Sequence, residues 1–240
     1  MRTERVPLLT GAAAVLVAAA LFLAPNARAA APPAENSPAH APVHVTSDAR
    51  SVEVAGGDVI WSDIGSACRT SFNAASGSAH YILMPGHCTD GTTQWYADSA
   101  RTVPIGPTVG SAFPGNDYGL VRYDNPEVFP VGTANGVDIT GAGNAYVGQT
   151  VMTRSSSTGT HSGTVTAVNQ TVDFGGGDVV SGLIRTNLCN EPVTGGPGPA
   201  TSGSMAIGIP VGGSGSCSTG MTTYYQPVTE ALAAYGLTIY

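Results

Sequence analysis

The chain has 240 residues, a formal net charge of -7 and only nine Lys plus Arg, which excludes the basic surface that an electrostatic nucleic-acid partner requires. Charged residues make up 10% and hydrophobic residues 42% of the chain, which also holds 32 Gly. That mixture is too apolar for a disordered protein and suits many short strands joined by tight turns.

In chain order, residues 1–29 read as a secretory signal peptide. Arg2 and Arg5 precede an apolar stretch rich in Ala, Val and Leu, and Ala27-Arg28-Ala29 supplies a small-x-small cleavage site. An uncleaved anchor is the competing reading, because Val6 to Pro25 is nearly long enough to span a bilayer. The alanine richness and the cleavage site favour removal, so a secreted, extracellular protein without stable membrane association is expected. Residues 30–53, with Pro32, Pro33, Pro38 and Pro42, read as a flexible leader or short pro-segment.

Residues 54–240 carry an all-β pattern. His80 to Met84, Tyr118 to Tyr123 and Gly163 to Val168 place β-branched and aromatic residues between turn signals such as Pro114-Gly115-Asn116 and Asp173 to Gly177. Only the end reads as helical: Pro227 suits a first helical position, Val228, Leu232 and Tyr235 share a face, and Gly236 is a stop. Export opens an oxidising compartment, where Cys68, Cys88, Cys189 and Cys217 are most simply two disulfides. Three connectivities are open, of which neighbour pairing gives each half of the chain its own staple. The cysteines and scattered histidines lack metal-ligand spacing, so neither metal nor cofactor is expected.

Several stretches together carry a family resemblance: Ala55-Gly56-Gly57-Asp58, Gly86-His87-Cys88-Thr89-Asp90-Gly91, Asn116-Asp117-Tyr118-Gly119, Gly159-Thr160-His161-Ser162-Gly163, Gly175-Gly176-Gly177-Asp178, Ile184-Arg185-Thr186-Asn187 and Gln226-Pro227-Val228-Thr229-Glu230-Ala231-Leu232. In this order, from Val54 to Tyr240, the chain closely resembles the secreted bacterial chymotrypsin-like proteases of the streptogrisin group. The resemblance implies two packed six-stranded antiparallel β-barrels, a C-terminal helix, neighbour-paired disulfides and an active site in the cleft between the barrels. It also implies His87 as the base and Asp117 as the carboxylate of a Ser-His-Asp triad, in which a hydroxyl attacks the peptide carbonyl and imidazole shuttles its proton.

The nucleophile loop departs from that pattern. Where the family has Gly-Asp-Ser-Gly-Gly-Pro, this chain reads Val193-Thr194-Gly195-Gly196-Pro197. Counting without gaps from Cys189 puts Gly195 at the serine, while sliding by one residue puts Thr194 there. Ser202 is a third candidate, although it runs in step with a later hairpin turn. The glycine that supplies one oxyanion-hole N–H in the family is Val193 or absent, and losing one such donor costs roughly 3 kcal/mol.

Other departures cluster at positions the family uses around its cleft. Val211-Gly212-Gly213 stands at the substrate-binding edge, with Val211 in place of a serine and Pro210 lacking an N–H. Met84-Pro85 precedes the histidine, and Met221 replaces a small residue near the specificity pocket. His80 and His161 are expected as strand or turn residues and Asp178 as the end of a turn. These features predict a monomeric protease homologue without a competent nucleophile, whose cleft binds a peptide or protein. The alternative is an endopeptidase using Thr194 or Ser202.

Overall fold

The computed structural model describes residues 51–155, 159–190 and 194–240. The signal peptide, nearly all of the leader, and Val193 therefore lie outside the described residues. Strand structure begins at Val52, two residues before the expected start of the domain.

The first half comprises β1 (Val52–Gly56), β2 (Val59–Ser62), β3 (Ala67–Arg69), β4 (Phe72–Ser76), β5 (Ala79–Met84), α1 (Gly86–Thr89), β6 (Gln94–Tyr96), β7 (Pro104–Ala112), β8 (Tyr118–Arg122), β9 (Val128–Ala134) and β10 (Val137–Asp138). The second comprises β11 (Gly141–Ala142), β12 (Thr150–Ser155), β13 (Gly159–Asp173), β14 (Val179–Thr186), β15 (Ala200–Ser202), β16 (Met205–Ser216), β17 (Gly220–Pro227), α2 (Val228–Tyr235) and β18 (Thr238–Ile239).

In the second half, the order β16-β15-β12-β13-β14-β17 closes through β16–β17 pairing into a six-stranded ring, with β11 attached. The first half is a less regular barrel: an eight-stranded sheet, β18-β4-β5-β8-β7-β6-β2-β3, accompanies a small β1-β9-β10 sheet. β1 pairs in parallel with β9, the feature least suggested by a run of short hairpins.

Side-chain alternation explains why the central strands are apolar on both faces. On β5, Ile82 and Met84 enter the core of the first barrel with Trp95, Ile105 and Val121. Leu83 points the other way, into a cluster with Tyr118, Leu120, Ala206, Ile209, Val228 and Leu232 that joins both barrels to α2. A third cluster, including Val165, Ile184, Leu188 and Tyr225, fills the second barrel. Met84 is therefore a core residue, fully buried, and its difference from the family is a packing change rather than damage to the cleft.

The C-terminal helix forms one residue later than expected, with Pro227 at the N-cap. Gly236 ends it in the left-handed region, φ 64°, donating its N–H to the Leu232 carbonyl. The chain then returns as β18 to pair with β4 of the first barrel.

The one-turn helix α1 has little room around it. A Cβ on Gly86 would lie 2.5 Å from the Ala112 carbonyl oxygen and 2.8 Å from the Tyr118 nitrogen, both backbone atoms that cannot rotate away. We expect Gly86→Ala to cost roughly 1–3 kcal/mol in urea unfolding, the range for overpacking a filled site. An unchanged midpoint would mean that α1 is not pressed against β7 and β8 as described.

Candidate active site

His87 owes its position to its neighbours. Pro85, with φ -57° and ψ 140°, ends β5 and introduces α1. Cys88 is bonded to Cys68, with their Cα atoms 6.3 Å apart. Thr89 Oγ1 donates to the Gly86 carbonyl at 2.9 Å.

Asp117 lies just before β8 and is completely buried. Its Oδ1 accepts the His87 backbone N–H at 2.8 Å, and its Oδ2 is 2.8 Å from His87 Nδ1. The Asp117 N–H donates to Gln226 Oε1 at 3.0 Å, and Gln226 Nε2 donates to Glu230 Oε2 at 2.7 Å. A carboxylate facing Nδ1 holds the proton there and leaves Nε2 as the acceptor, which is the tautomer a general base needs. The His87 side chain is 41% exposed, against 0% for Asp117, so the imidazole reaches the cleft while the carboxylate does not. The Phe113 ring packs edge-on against it, with centroids 6.0 Å apart.

Two cavities open beside His87. One, of about 350 Å³, is lined by Ile64, the Cys68–Cys88 bridge, Gly195 and Gly196. The other, of about 280 Å³, is lined by Phe113, Asp117, Phe174, Asp178 and Val211. Asp178 does close a turn, its N–H donating to the Gly175 carbonyl, but it also borders this second cavity.

The segment after Cys189 is held by Arg69, a residue that sequence reading passed over. Arg69 is 6% exposed. Its Nε donates to the Gly196 carbonyl at 2.9 Å, Nη2 to the Thr194 carbonyl at 3.1 Å, and Nη1 to the Gly57 carbonyl. Burial lowers its pKa from the ordinary guanidinium value, and the charge of Asp58 opposes that shift.

Gly195 has φ 83°, and a Cβ there would lie 3.1 Å from both Val59 methyls and 3.3 Å from Arg69 Cγ. Both backbone conformation and packing thus favour glycine. Asn190 braces the far end, donating from Nδ2 to the Gly198 carbonyl and accepting the Gly198 N–H.

Thr194 is exposed, and Ser202 lies in β15 opposite Met205 in the hairpin with β16. Among the described residues, neither hydroxyl shares a hydrogen bond with His87. Cys189 is bonded to Cys217 at a Cα separation of 5.1 Å.

On β16 the ladder with β17 slips between Pro210 and Gly212, which turns Val211 toward the His87 cavity. Gly212 lies against the Phe174 ring: a Cβ would approach it to 2.9 Å. Met221 is tied to the loop base, its Sδ accepting the Asn190 N–H at 3.3 Å. His80 pairs with the Tyr240 hydroxyl at 2.8 Å, while His161 lies opposite Thr153 in the β12–β13 ladder, its Nε2 without a hydrogen-bond partner among the described residues. No cluster suited to a metal ion occurs among the described residues, and no described helix is long and apolar enough to cross a membrane.

Serine protease 2 of Streptomyces fradiae is 51% identical over 175 residues, covering 71% of this chain and 100% of that protein. The chain belongs to the streptogrisin-like family of chymotrypsin-fold serine proteases. Streptogrisin-D of Streptomyces griseus is 48% identical over 190 residues, and this chain spans 48% of its length. Among solved structures, Alpha-lytic protease homolog N4 aligns with TM-score 0.72 and 43% identity, covering 79% of this chain and 100% of that one. A glutamic acid specific serine protease aligns with TM-score 0.71 and 44% identity, covering 78% and 100% respectively. No family model matches the chain.

Within this streptogrisin-like frame, Gln226, Phe113, Phe174 and Arg69 were not singled out by sequence. The first three lie in or beside motif or turn stretches and were findable there. Arg69 gives no local signal, because two of its acceptors lie more than 120 residues away in the chain. Hydrogen bonds to a charged group are each worth roughly 1.5–3 kcal/mol. We expect Arg69→Met to free the loop, raising amide exchange at Gly195 and Gly196 at least tenfold over that of β5. Unchanged exchange in a folded variant would show that the guanidinium does not hold the loop.

Proposed function

We propose that this streptogrisin relative is an exported pseudoprotease: a monomeric, cofactor-free double barrel that binds extended peptide in the inter-barrel cleft without cleaving it. The observation that carries this reading is Gly195. It borders the cavity beside His87, has no side chain, and has a backbone conformation and surroundings that resist one. On this reading His87 and Asp117 are the retained base and orienting carboxylate, and no hydroxyl stands ready for His87 to activate. Removing the serine of a triad costs about a millionfold in turnover in a well-studied case, although slow catalysis over water persists.

Peptide binding has its own support. Val211 lines the cavity of about 280 Å³ beside His87, and past the slip there Gly212 and Gly213 pair only with β17 among the described strands; an extended peptide docks on such an edge through main-chain hydrogen bonds. The alternative, a slow endopeptidase using Thr194 or Ser202, needs a loop rearrangement that brings a hydroxyl to His87 Nε2.

Purified protein is expected to hydrolyse a quenched casein substrate no faster than its His87→Ala variant. Hydrolysis lost on that substitution would overturn the proposal and send the search to Thr194. A second expectation separates a missing hydroxyl from a remodelled loop. Gly195→Ser alone should leave hydrolysis at background, because a non-glycine residue with φ 83° is strained and its Cβ meets Val59. Activity gained by that single change would mean the loop is ready for catalysis and lacks only its hydroxyl.

A further inference from the structure

Arg69 also lines a cavity that shares no lining residue with the two beside His87. It measures about 400 Å³ and is walled by Gly56, Gly57, Asp58, Val59, Asn135, Gly136 and a second arginine, Arg154. All nine cationic residues outside histidine are arginines in this acidic chain, and two of the five described ones converge here.

Among the described residues, neither forms an ion pair, although the Asp58 charge acts on Arg69 from beyond ion-pair distance. The ion pairs among the described residues are His87–Asp117 and Arg122–Asp124. A guanidinium carries five N–H donors. Three of Arg69's are used on the carbonyls of Gly57, Thr194 and Gly196, which leaves one on each Nη nitrogen.

Arg154 is held from behind, its backbone N–H donating to the buried Asn135 side chain at 3.1 Å. Its guanidinium lies over Gly136, with Nη1 2.5 Å from where a Cβ on that glycine would sit. The one carboxylate on the cavity wall, Asp58, is engaged in its own turn and accepts the Ala55 N–H at 2.7 Å. Two guanidinium groups against one carboxylate leave the cavity net positive. By contrast, the cavity beside Phe113 and Phe174 is lined by Asp117 and Asp178, and one beneath β7 by Asp124 and Glu127.

We infer that this cavity is a binding site for a carboxylate, held between Arg69 and Arg154. A planar carboxylate matches the fork of a guanidinium, and charge-assisted hydrogen bonds of this kind are about twice as strong as neutral ones. The volume exceeds that of a bare ion, so a carboxylate carrying a short chain, such as the free C-terminus of a peptide, fits the space. The site also touches the cleft indirectly. Arg69 holds the carbonyls of Thr194 and Gly196, and Gly195 with Gly196 forms a wall of the His87 cavity, so an anion on Arg69 acts on that wall through a buried side chain.

The test is a nuclear magnetic resonance titration of the whole protein with N-acetyl-dialanine and, separately, its C-terminal amide. With the free acid, saturable shifts are expected at the amides of Gly57, Gly136 and Gly195, weakening as sodium chloride is added; the amide should produce none. Arg154→Gln, on the exposed rim, should weaken binding of the acid at least tenfold, and Asp58→Asn, which removes the competing negative charge, should strengthen it. Equal shifts from acid and amide, or binding indifferent to both substitutions, would overturn the assignment. It stands or falls independently of whether the cleft hydrolyses peptide.

Discussion

A single buried carboxylate organises the cleft. Asp117 comes from the first barrel, accepts two hydrogen bonds from His87, and is joined through its own N–H to Gln226 of the second. Gln226 in turn holds Glu230 on the C-terminal helix. A carboxylate without solvent persists only where each demand of its charge is met, and stripping away one partner of a buried charge costs roughly 3–5 kcal/mol. The arrangement therefore fixes more than an imidazole tautomer. It sets one barrel against the other, in register with the apolar cluster that Leu83, Leu120, Ile209 and Leu232 build beneath it.

Arg69 makes the second polar tie. It lies in the first barrel, immediately after a disulfide cysteine, and reaches into the second to hold two carbonyls of the segment following Cys189. The Asp117 network presents an imidazole to the cleft, and the Arg69 network presents a glycine. On the proposed reading these are complementary: the first preserves the shape and polarity of a peptide-binding cleft, and the second holds in place a loop with nothing to activate. A buried guanidinium bonded only to main-chain oxygens also stabilises a backbone path without requiring particular side chains along it, which suits a loop made largely of Gly and Pro.

Much of this was legible in the sequence because the relevant signals are local. Alternating β-branched runs marked β5, β8 and β13, and Gly236 marked the end of the helix. His87 and Asp117 stood in motifs whose order implied their meeting, and the structure brings them to 2.8 Å. What escaped were facts of three-dimensional adjacency. Met84 reads as a change beside the histidine, yet alternation along β5 sends it into the core and leaves the cleft untouched. Arg69 reads as an ordinary cation, and only the fold reveals that it is buried against the loop. The parallel pairing of β1 with β9, between segments more than 70 residues apart, has no signature in either strand alone.

The claim on which the account turns is that no residue of the cleft acts as a nucleophile toward a peptide electrophile. The direct measurement is reaction of the purified protein with a peptidyl phosphonate, which traps an activated hydroxyl covalently, followed by intact mass and peptide mapping. The account predicts an unmodified mass while the same peptide still binds reversibly and perturbs His87. A stoichiometric adduct mapped to Thr194 or Ser202, and lost in His87→Ala, would contradict it.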